Sequence, residues 1–139
     1  RIRKGGVNLI RAGQTKAGDS WRTDQWILDM FPTAFDPCPY NPDWDESHYN
    51  GLVDDWNWST GLVFINPPYS NPMPWVNRAI HELRAGRTIV MLLKHDSSTR
   101  WYAKLHEAGA HFLMCSKRLK HQTKAGASFP SVLAVLGWD

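Results

Sequence analysis

The sequence predicts an α/β domain in which a mostly parallel sheet is flanked by helices. Gly61 to Ile65 form a short apolar run, which is typical of a buried strand. Met73 to Ala85 place apolar residues at helical spacing, and Gly86 follows as a stop signal. Thr88 to Leu93 form a strand without a polar face, as expected in the middle of a parallel sheet. This alternation indicates parallel strands joined by right-handed crossovers.

The chain before the predicted strand at Gly61 to Ile65 is largely irregular. Residues 1–20 are rich in basic side chains, and their glycines interrupt any regular pattern. We therefore expect a flexible arm in front of one domain spanning residues 21–139. Residues 24–31 predict a short amphipathic helix that ends at a proline. Residues 35–40 predict one brief strand followed by an irregular turn, and residues 41–60 predict a loop or partial helix because they have no periodicity.

The chain after the predicted strand at Thr88 to Leu93 continues the alternation of helices and strands. Residues 98–108 predict a helix, and residues 110–115 predict the next strand. The last strand is expected over residues 131–136, after a basic loop at residues 116–130.

Composition limits the class of protein. The 139 residues are enough for one domain, and the net charge of +3 is weak evidence for a nucleic-acid partner. Cys38 and Cys115 form neither a disulfide framework nor a zinc-binding spacing, which favours a reducing compartment. No apolar run approaches the roughly 20 residues of a membrane span. We therefore expect a soluble intracellular protein without a membrane partner, located in the host cytoplasm if a virus or prophage encodes it.

The stretch Asn66-Pro67-Pro68-Tyr69, which follows the first apolar run, has unusual chemistry. Proline has no N–H and holds the preceding residue extended, so the strand leaves the sheet as a stiff corner. The Asn66 side chain and the Pro67 carbonyl offer two acceptors beside the flat ring of Tyr69. An exocyclic amine of a base, or an amide NH2, fits this arrangement, and the two dipoles would stabilise positive charge developing on its nitrogen. Any one of these residues alone is more often part of a structural turn.

Polar residues follow three predicted strands at their carboxyl ends. These are Asp36, Asn66 and residues 94–96. Ligands of α/β sheets bind beyond this edge, so we expect a single site there. Asp36 is equally well explained as the cap of a proline-rich turn, and no Gly-x-Gly-x-x-Gly follows the first strand.

The full tetrad after an apolar strand is the signature of methyltransferases that use S-adenosylmethionine to modify amino groups. Other motifs extend the likeness: Trp21-x-Thr23, Asp36-Pro37-Cys38, Asp55-Trp56, Trp75-Val76 and Ser128-Phe129-Pro130-Ser131. In this order they resemble the phage-type, Dam-like DNA N-6-adenine methyltransferase family, from about residue 20 to residue 136. The resemblance implies a small Rossmann-like class I methyltransferase. Such an enzyme transfers a methyl group from S-adenosylmethionine to the 6-amino group of a flipped adenine in DNA.

The resemblance also implies which residues take part in the reaction. The catalytic residues would be Asn66, Pro67, Pro68 and Tyr69. The cofactor would contact Trp21, Thr23, Asp36, Pro37, Cys38, Asp54, Asp55 and Asn66. Candidates for DNA contacts are Ser70, Lys94, Arg100, Lys117, Arg118 and Lys120. No metal ion is implied.

The sequence departs from the family pattern at three places. Asp24 replaces a proline after the threonine, Lys94-His95-Asp96 replaces a proline-containing segment, and no glycine precedes Arg118 in the basic stretch.

Three rival functions remain open at this stage. The same tetrad serves methyltransferases of RNA or of protein amides. A catalytically silent relative would serve as a nucleic-acid-binding or assembly module. A metal hydrolase built on His48, His95 and Asp96 is disfavoured, because no pair among them has helical metal-ligand spacing.

Overall fold

The computed structural model describes residues 23–114, 119–120 and 128–138. Its helices are α1 (Gln25–Leu28), α2 (Met73–Glu82) and α3 (Arg100–Glu107). Its strands are β1 (Leu62–Ile65), β2 (Thr88–Lys94), β3 (His111–Met114), β4 (Leu119–Lys120), β5 (Ser128–Phe129) and β6 (Ser131–Leu136). The predicted arm at residues 1–20 lies outside the described residues.

Four strands form one sheet in the order β1-β2-β6-β3, and β4 pairs with β5 in a second, two-stranded sheet. β1 and β2 are parallel, whereas β6 is antiparallel to both β2 and β3. The α/β class is confirmed, but the prediction of a mostly parallel sheet is wrong. β6 returns between β2 and β3, and its reversed direction makes two of the pairings antiparallel. The described part of the connection from β3 to β6 is the antiparallel β4–β5 pair, which suits a hairpin-like return.

Several elements are shorter than the sequence pattern predicts. α1 has four residues, and the N–H groups of Met30 and Phe31 bond only three residues back, to Ile27 and Leu28. A helix over residues 24–31 is therefore wrong in its length. α2 ends at Glu82 because the next residue is extended, and the brief strand predicted within residues 35–40 is a single bridge at Phe35.

Alternate residues of the strands fill two hydrophobic layers, one on each face of the sheet. α2 and α3 contribute Trp75, Val76, Ala79 and Leu105 to the layer that contains Val63 and Ile65. The other layer contains Phe64, Val90 and Leu92, with Ile27 of α1 packed among them. β2 is buried on both faces, as predicted, because it lies between β1 and β6 with a layer on each side.

Candidate active site

Two candidate side chains follow neighbouring parallel segments at one edge of the sheet. Phe35 donates its N–H to the Leu62 carbonyl (3.0 Å), and its own carbonyl accepts from the Phe64 N–H (2.9 Å). These bonds hold Phe35 parallel to β1. Asp36 therefore leaves the sheet beside the carboxyl end of β1, where Asn66 begins the proline-rich corner.

The tetrad from Asn66 to Tyr69 forms a partly buried corner. Its two prolines are buried, whereas the side chains at either end are partly buried. The Asn66 Oδ1 atom and the Tyr69 hydroxyl are shielded from solvent. The Asn71 N–H donates to the Pro68 carbonyl (3.4 Å), and this turn leads the chain into α2.

Thr23 connects the start of α1 to this corner. Asn66 Nδ2 donates to Thr23 Oγ1 over 2.9 Å, although the two residues are 43 positions apart. The next residue, Asp24, is the N-cap of α1 and has a φ of −57°. Proline fixes φ near about −65°. The replacement of the expected proline by Asp24 therefore preserves the backbone conformation that a proline would impose.

A cleft of ≈ 620 Å³ has Thr23, the hydrogen-bond partner of Asn66, in its lining. The start of α1 and the segment from Asp36 to Tyr40 form its walls, with Thr23, Asp24, Gln25, Trp26, Leu28, Asp36 and Tyr40 lining it. Small-molecule sites typically occupy about 300–1,000 Å³. The cleft combines carboxyl, hydroxyl and amide groups with two aromatic rings, so it suits a ligand that is both charged and aromatic.

The carboxyl group of Asp36 has a perturbed pKa. Burial disfavours the charged form and raises this pKa to about 6, although a hydrogen bond from the Cys38 N–H (2.8 Å) opposes the shift. At neutral pH the group is a poorly solvated carboxylate that would be stabilised by a cation in the cleft. Perturbed carboxyl groups of this kind are typical of functional sites.

Pro37 and Cys38 lie in the interior behind Asp36. Cys38 is only 3% exposed and belongs to the hydrophobic layer beneath α2. Pro37 packs against Gly51 so closely that a Cβ atom at Gly51 would lie 2.1 Å from the Pro37 carbonyl oxygen. These two residues thus hold Asp36 in place, while their own side chains are buried.

Asp54 and Asp55 lie on the loop before β1, outside the lining of the cleft. The Asp54 carboxylate accepts from the Asn50 N–H (2.8 Å). Arg78 of α2 donates to the carbonyl oxygens of Gly51 (3.2 Å) and Asp54 (2.9 Å). Asp55 is exposed. The loop is therefore fixed to α2 through its backbone.

The candidate DNA contacts fall into two groups. Ser70, Lys94 and Arg100 are exposed, and Lys94 ends β2 at the same edge of the sheet as Asn66. Lys120 lies in β4. Trp21, Lys117 and Arg118 lie outside the described residues.

Two aromatic residues of the cleft are absent from the sequence-based prediction of the site. Trp26 lies within the predicted amphipathic helix at residues 24–31, where an apolar residue is expected to face the core, yet it is 45% exposed and lines the cleft. Tyr40 directly follows the turn that begins at Asp36 and is 40% exposed. Their closeness in sequence to Thr23 and Asp36 is the signal that would have found them. Arg78 was also missed, although its spacing of four residues from Glu82 is typical of a helical ion pair.

A protein-family model described as DNA N-6-adenine-methyltransferase (Dam) matches residues 12–126. The chain belongs to this family. The DNA N-6-adenine-methyltransferase of Haemophilus phage HP1 (strain HP1c1) is similar to it, with 33% identity in an alignment of 108 residues that covers 68% of this chain and 61% of the phage protein. The DNA N-6-adenine-methyltransferase of Escherichia phage T1 is 37% identical over 51 residues, which are 37% of this chain and 21% of that protein.

The family resemblance predicted from the motifs is thus confirmed. The matches span less than two thirds of the length of either phage relative. No solved structure matches the chain.

Among the residues that the structure describes, no helix has the length and apolar character needed to cross a membrane. The same residues contain no group of three His, Cys, Asp or Glu side chains that would hold a metal ion.

Proposed function

We propose that this Dam-family chain transfers a methyl group from S-adenosylmethionine to the 6-amino group of adenine in DNA. The observation that carries the proposal is the position of Asn66. It stands at the carboxyl end of β1, and its amide donates to Thr23, which lines a cleft together with Asp36. An acceptor for an amine and a site for a cationic cofactor are therefore side by side.

The cleft fits S-adenosylmethionine by its chemistry. The cofactor carries an ammonium group, a sulfonium group, a carboxylate and an adenine ring. A poorly solvated Asp36 carboxylate would favour the cationic part, and the Asp24 and Gln25 side chains offer polar contacts. The Trp26 and Tyr40 rings provide surfaces for the aromatic part. When bound, the cofactor supplies an electrophilic methyl group, whose bond to sulfur breaks as the new bond to nitrogen forms.

The residues of the tetrad act on the adenine. Asn66 Oδ1 and the Pro67 carbonyl accept hydrogen bonds from the two hydrogens of the amine, which favours positive charge on the nitrogen. Tyr69 stacks on the base, which is worth about 1–3 kcal/mol and offsets part of the cost of flipping it from the duplex. The proton leaves the nitrogen after methyl transfer, when the nitrogen is cationic and acidic. The mechanism therefore needs no separate general base.

The parallel part of the sheet supports our proposal that the domain has a Rossmann-like class I methyltransferase fold. Phe35, β1 and β2 run in the same direction, and α2 connects β1 to β2. Ligands of such sheets bind beyond the carboxyl ends of the strands, where Asp36, Asn66 and Lys94 are located. Ser70, Lys94 and Arg100 are then placed to contact the phosphates beside a flipped base.

The direct test is a transfer assay with tritiated S-adenosylmethionine. Unmethylated DNA, RNA and protein are treated separately, and the products are digested and separated by chromatography. We expect the label in N6-methyl-2′-deoxyadenosine from DNA. Label found only in RNA or protein would contradict the proposed substrate. Failure both to bind the cofactor and to transfer label would favour a silent binding module.

The variant Asn66→Ala tests the role of the amide. Loss of one preorganised group of this kind should lower the transfer rate by about 10²–10³-fold. Binding of S-adenosylmethionine, measured by calorimetry, should be largely retained. The control is Asn77→Ala, because Asn77 is an exposed amide on α2 whose Oδ1 accepts from Lys104 Nζ (2.8 Å). Appreciable turnover by Asn66→Ala would exclude the proposed role.

A further inference from the structure

The hydrogen bond between Asn66 and Thr23 distinguishes the two ends of the Asn66 amide. The nitrogen end, Nδ2, donates to Thr23 Oγ1 over 2.9 Å. The oxygen end, Oδ1, is the other arm of the same planar group and is also shielded from solvent. The amide has nearly the same shape after a half-turn about its Cβ–Cγ bond, so packing alone does not select one orientation. Polar partners at both ends have to do so: the Thr23 hydroxyl, which can accept or donate, holds Nδ2 in this structure, and a donor such as the adenine amine selects Oδ1 at the other end.

We propose that Thr23 is the positioning residue that orients the Asn66 amide for methyl transfer. The inference rests on the proposed function, in which Oδ1 accepts a hydrogen bond from the adenine amine. By holding Nδ2, Thr23 leaves Oδ1 as the end that meets the amine. The reversed amide would present an NH2 group to another NH2 group, and this replaces an attraction by a repulsion.

Three features make Thr23 suitable for this role. Its side chain is partly buried, so solvent competes little for the hydroxyl. A β-branched side chain has few χ1 rotamers, so the hydroxyl is held in place at a small entropic cost. The following residue has a proline-like φ of −57° and its carbonyl accepts the Ile27 N–H (3.0 Å), which anchors this backbone to α1.

Thr23 also lines the cleft, so a direct role in cofactor binding is the competing explanation. The two roles differ in what they change. An orienting role alters the rate of transfer at saturating cofactor. A binding role alters the affinity for the cofactor and is overcome when its concentration is raised.

The test compares Thr23→Val with Thr23→Ser in single-turnover transfer to DNA at saturating S-adenosylmethionine. Thr23→Val has the same shape but no hydroxyl, and we expect a rate about 10- to 100-fold below wild type, as is usual when a reacting group is misplaced. Thr23→Ser keeps the hydroxyl and should restore most of the rate. Cofactor affinity by calorimetry should be similar in all three proteins. A wild-type rate for Thr23→Val, or a loss that saturating cofactor removes, would overturn the proposal.

A measurement on the wild-type protein does not depend on the folding of any variant. With ¹⁵N-labelled asparagine, the Asn66 side-chain NH2 protons should show nuclear Overhauser contacts to the Thr23 side chain and slow exchange with solvent. The absence of such contacts would also overturn the proposal. Failure of the proposed function is distinguishable, because the wild-type protein itself would then leave DNA unlabelled. Failure of this inference alone leaves wild-type transfer intact and Thr23→Val fully active.

Discussion

The carboxyl group of Asp36 titrates close to the physiological range, because burial raises its pKa to about 6. In the free protein it loses its charge as the pH falls through this value. A cationic cofactor binds the ionised form better, and binding therefore lowers the pKa of Asp36 and releases a proton. The affinity should rise with pH up to about 6 and then level off.

This pH dependence gives the first prediction. Asp36→Asn should bind S-adenosylmethionine more weakly at pH 8, and its affinity should lose the dependence on pH between 5 and 8, roughly the window set by the raised pKa. Calorimetry across this range measures both effects. The control Glu107→Gln removes an exposed carboxylate at the end of α3, outside the cleft, and should behave as wild type. A variant of Asp36 that keeps the wild-type pH profile would contradict the assignment.

At the scale of elements, the loop before β1 is fixed against the turn that presents Asp36. Gly51 is buried, and a Cβ atom there would lie 2.1 Å from the Pro37 carbonyl oxygen and 2.7 Å from the Pro37 Cβ. Gly51→Ala must therefore move the turn, and we expect a loss of roughly 3 kcal/mol in the free energy of unfolding, at the upper end for overpacking. Because Asp36 begins the same turn, cofactor affinity should fall as well.

Gly86→Ala is the matched control for this variant. Gly86 has a φ of +81° with nothing within 4 Å of an added Cβ, so only the left-handed backbone conformation is penalised. We expect a cost of about 1–2 kcal/mol and unchanged cofactor affinity. Chemical denaturation and calorimetry provide the two readouts. Equal losses of cofactor affinity in both variants would refute the coupling between the loop and the cleft.

Arg78 connects α2 to the same loop. It donates to the carbonyl oxygens of Gly51 and Asp54, pairs with Glu82 (3.2 Å), and lies 5.1 Å from the centre of the Trp56 ring. Burial alone would raise the pKa of Glu82, but hydrogen bonds from Trp58 and Arg78, together with the Arg78 charge, lower it overall. The pair is thus a well-satisfied ionic contact near the surface.

Arg78→Met should lower the free energy of unfolding by roughly 2–4 kcal/mol, because it leaves two loop carbonyls without this donor and the Glu82 carboxylate without one of its donors. Lys104→Met is the control, since Lys104 is exposed and donates to the exposed Asn77 side chain. It should change stability by less than about 0.5 kcal/mol. Urea titrations of both variants measure the difference. Similar midpoints for the two would show that Arg78 contributes no more than a surface contact.

The elements differ in how far the sequence predicts them. β2 was predictable because a continuous apolar run requires burial on both faces, and its partner positions in β6 are apolar for the same reason. The direction of β6 was not predictable, because a fully buried strand has the same pattern when it is reversed. The burial of Trp26 was wrongly predicted, because a helix of only four residues has no complete apolar face. Which apolar side chains of α1 are buried depends on tertiary contacts and not on helical periodicity.

At the scale of the whole molecule, the tetrad was predictable from local chemistry, but its support was not. Asn66 and Thr23 are 43 positions apart, and no local pattern relates an amide to a hydroxyl over that distance. Only the parallel pairing of Phe35 with β1, together with the packing of Ile27 onto the sheet, brings the start of α1 beside the corner. The arrangement of the candidate site therefore depends on the topology of the sheet, whereas its individual chemical groups can be identified from the sequence.

This topology gives the molecule two different edges, and the last prediction separates them. Lys94 ends β2 on the edge that contains Asn66, whereas α2 runs back from that edge and brings Arg84 to the opposite one. Both side chains are exposed. If DNA lies across the first edge, Lys94→Gln should weaken DNA binding and reduce the slope of log affinity against log salt by about 1. Arg84→Gln removes the same charge and should leave both quantities unchanged. Fluorescence anisotropy with a labelled duplex over a salt series measures them, and equal effects of the two variants would mean that net charge, not the edge, determines binding.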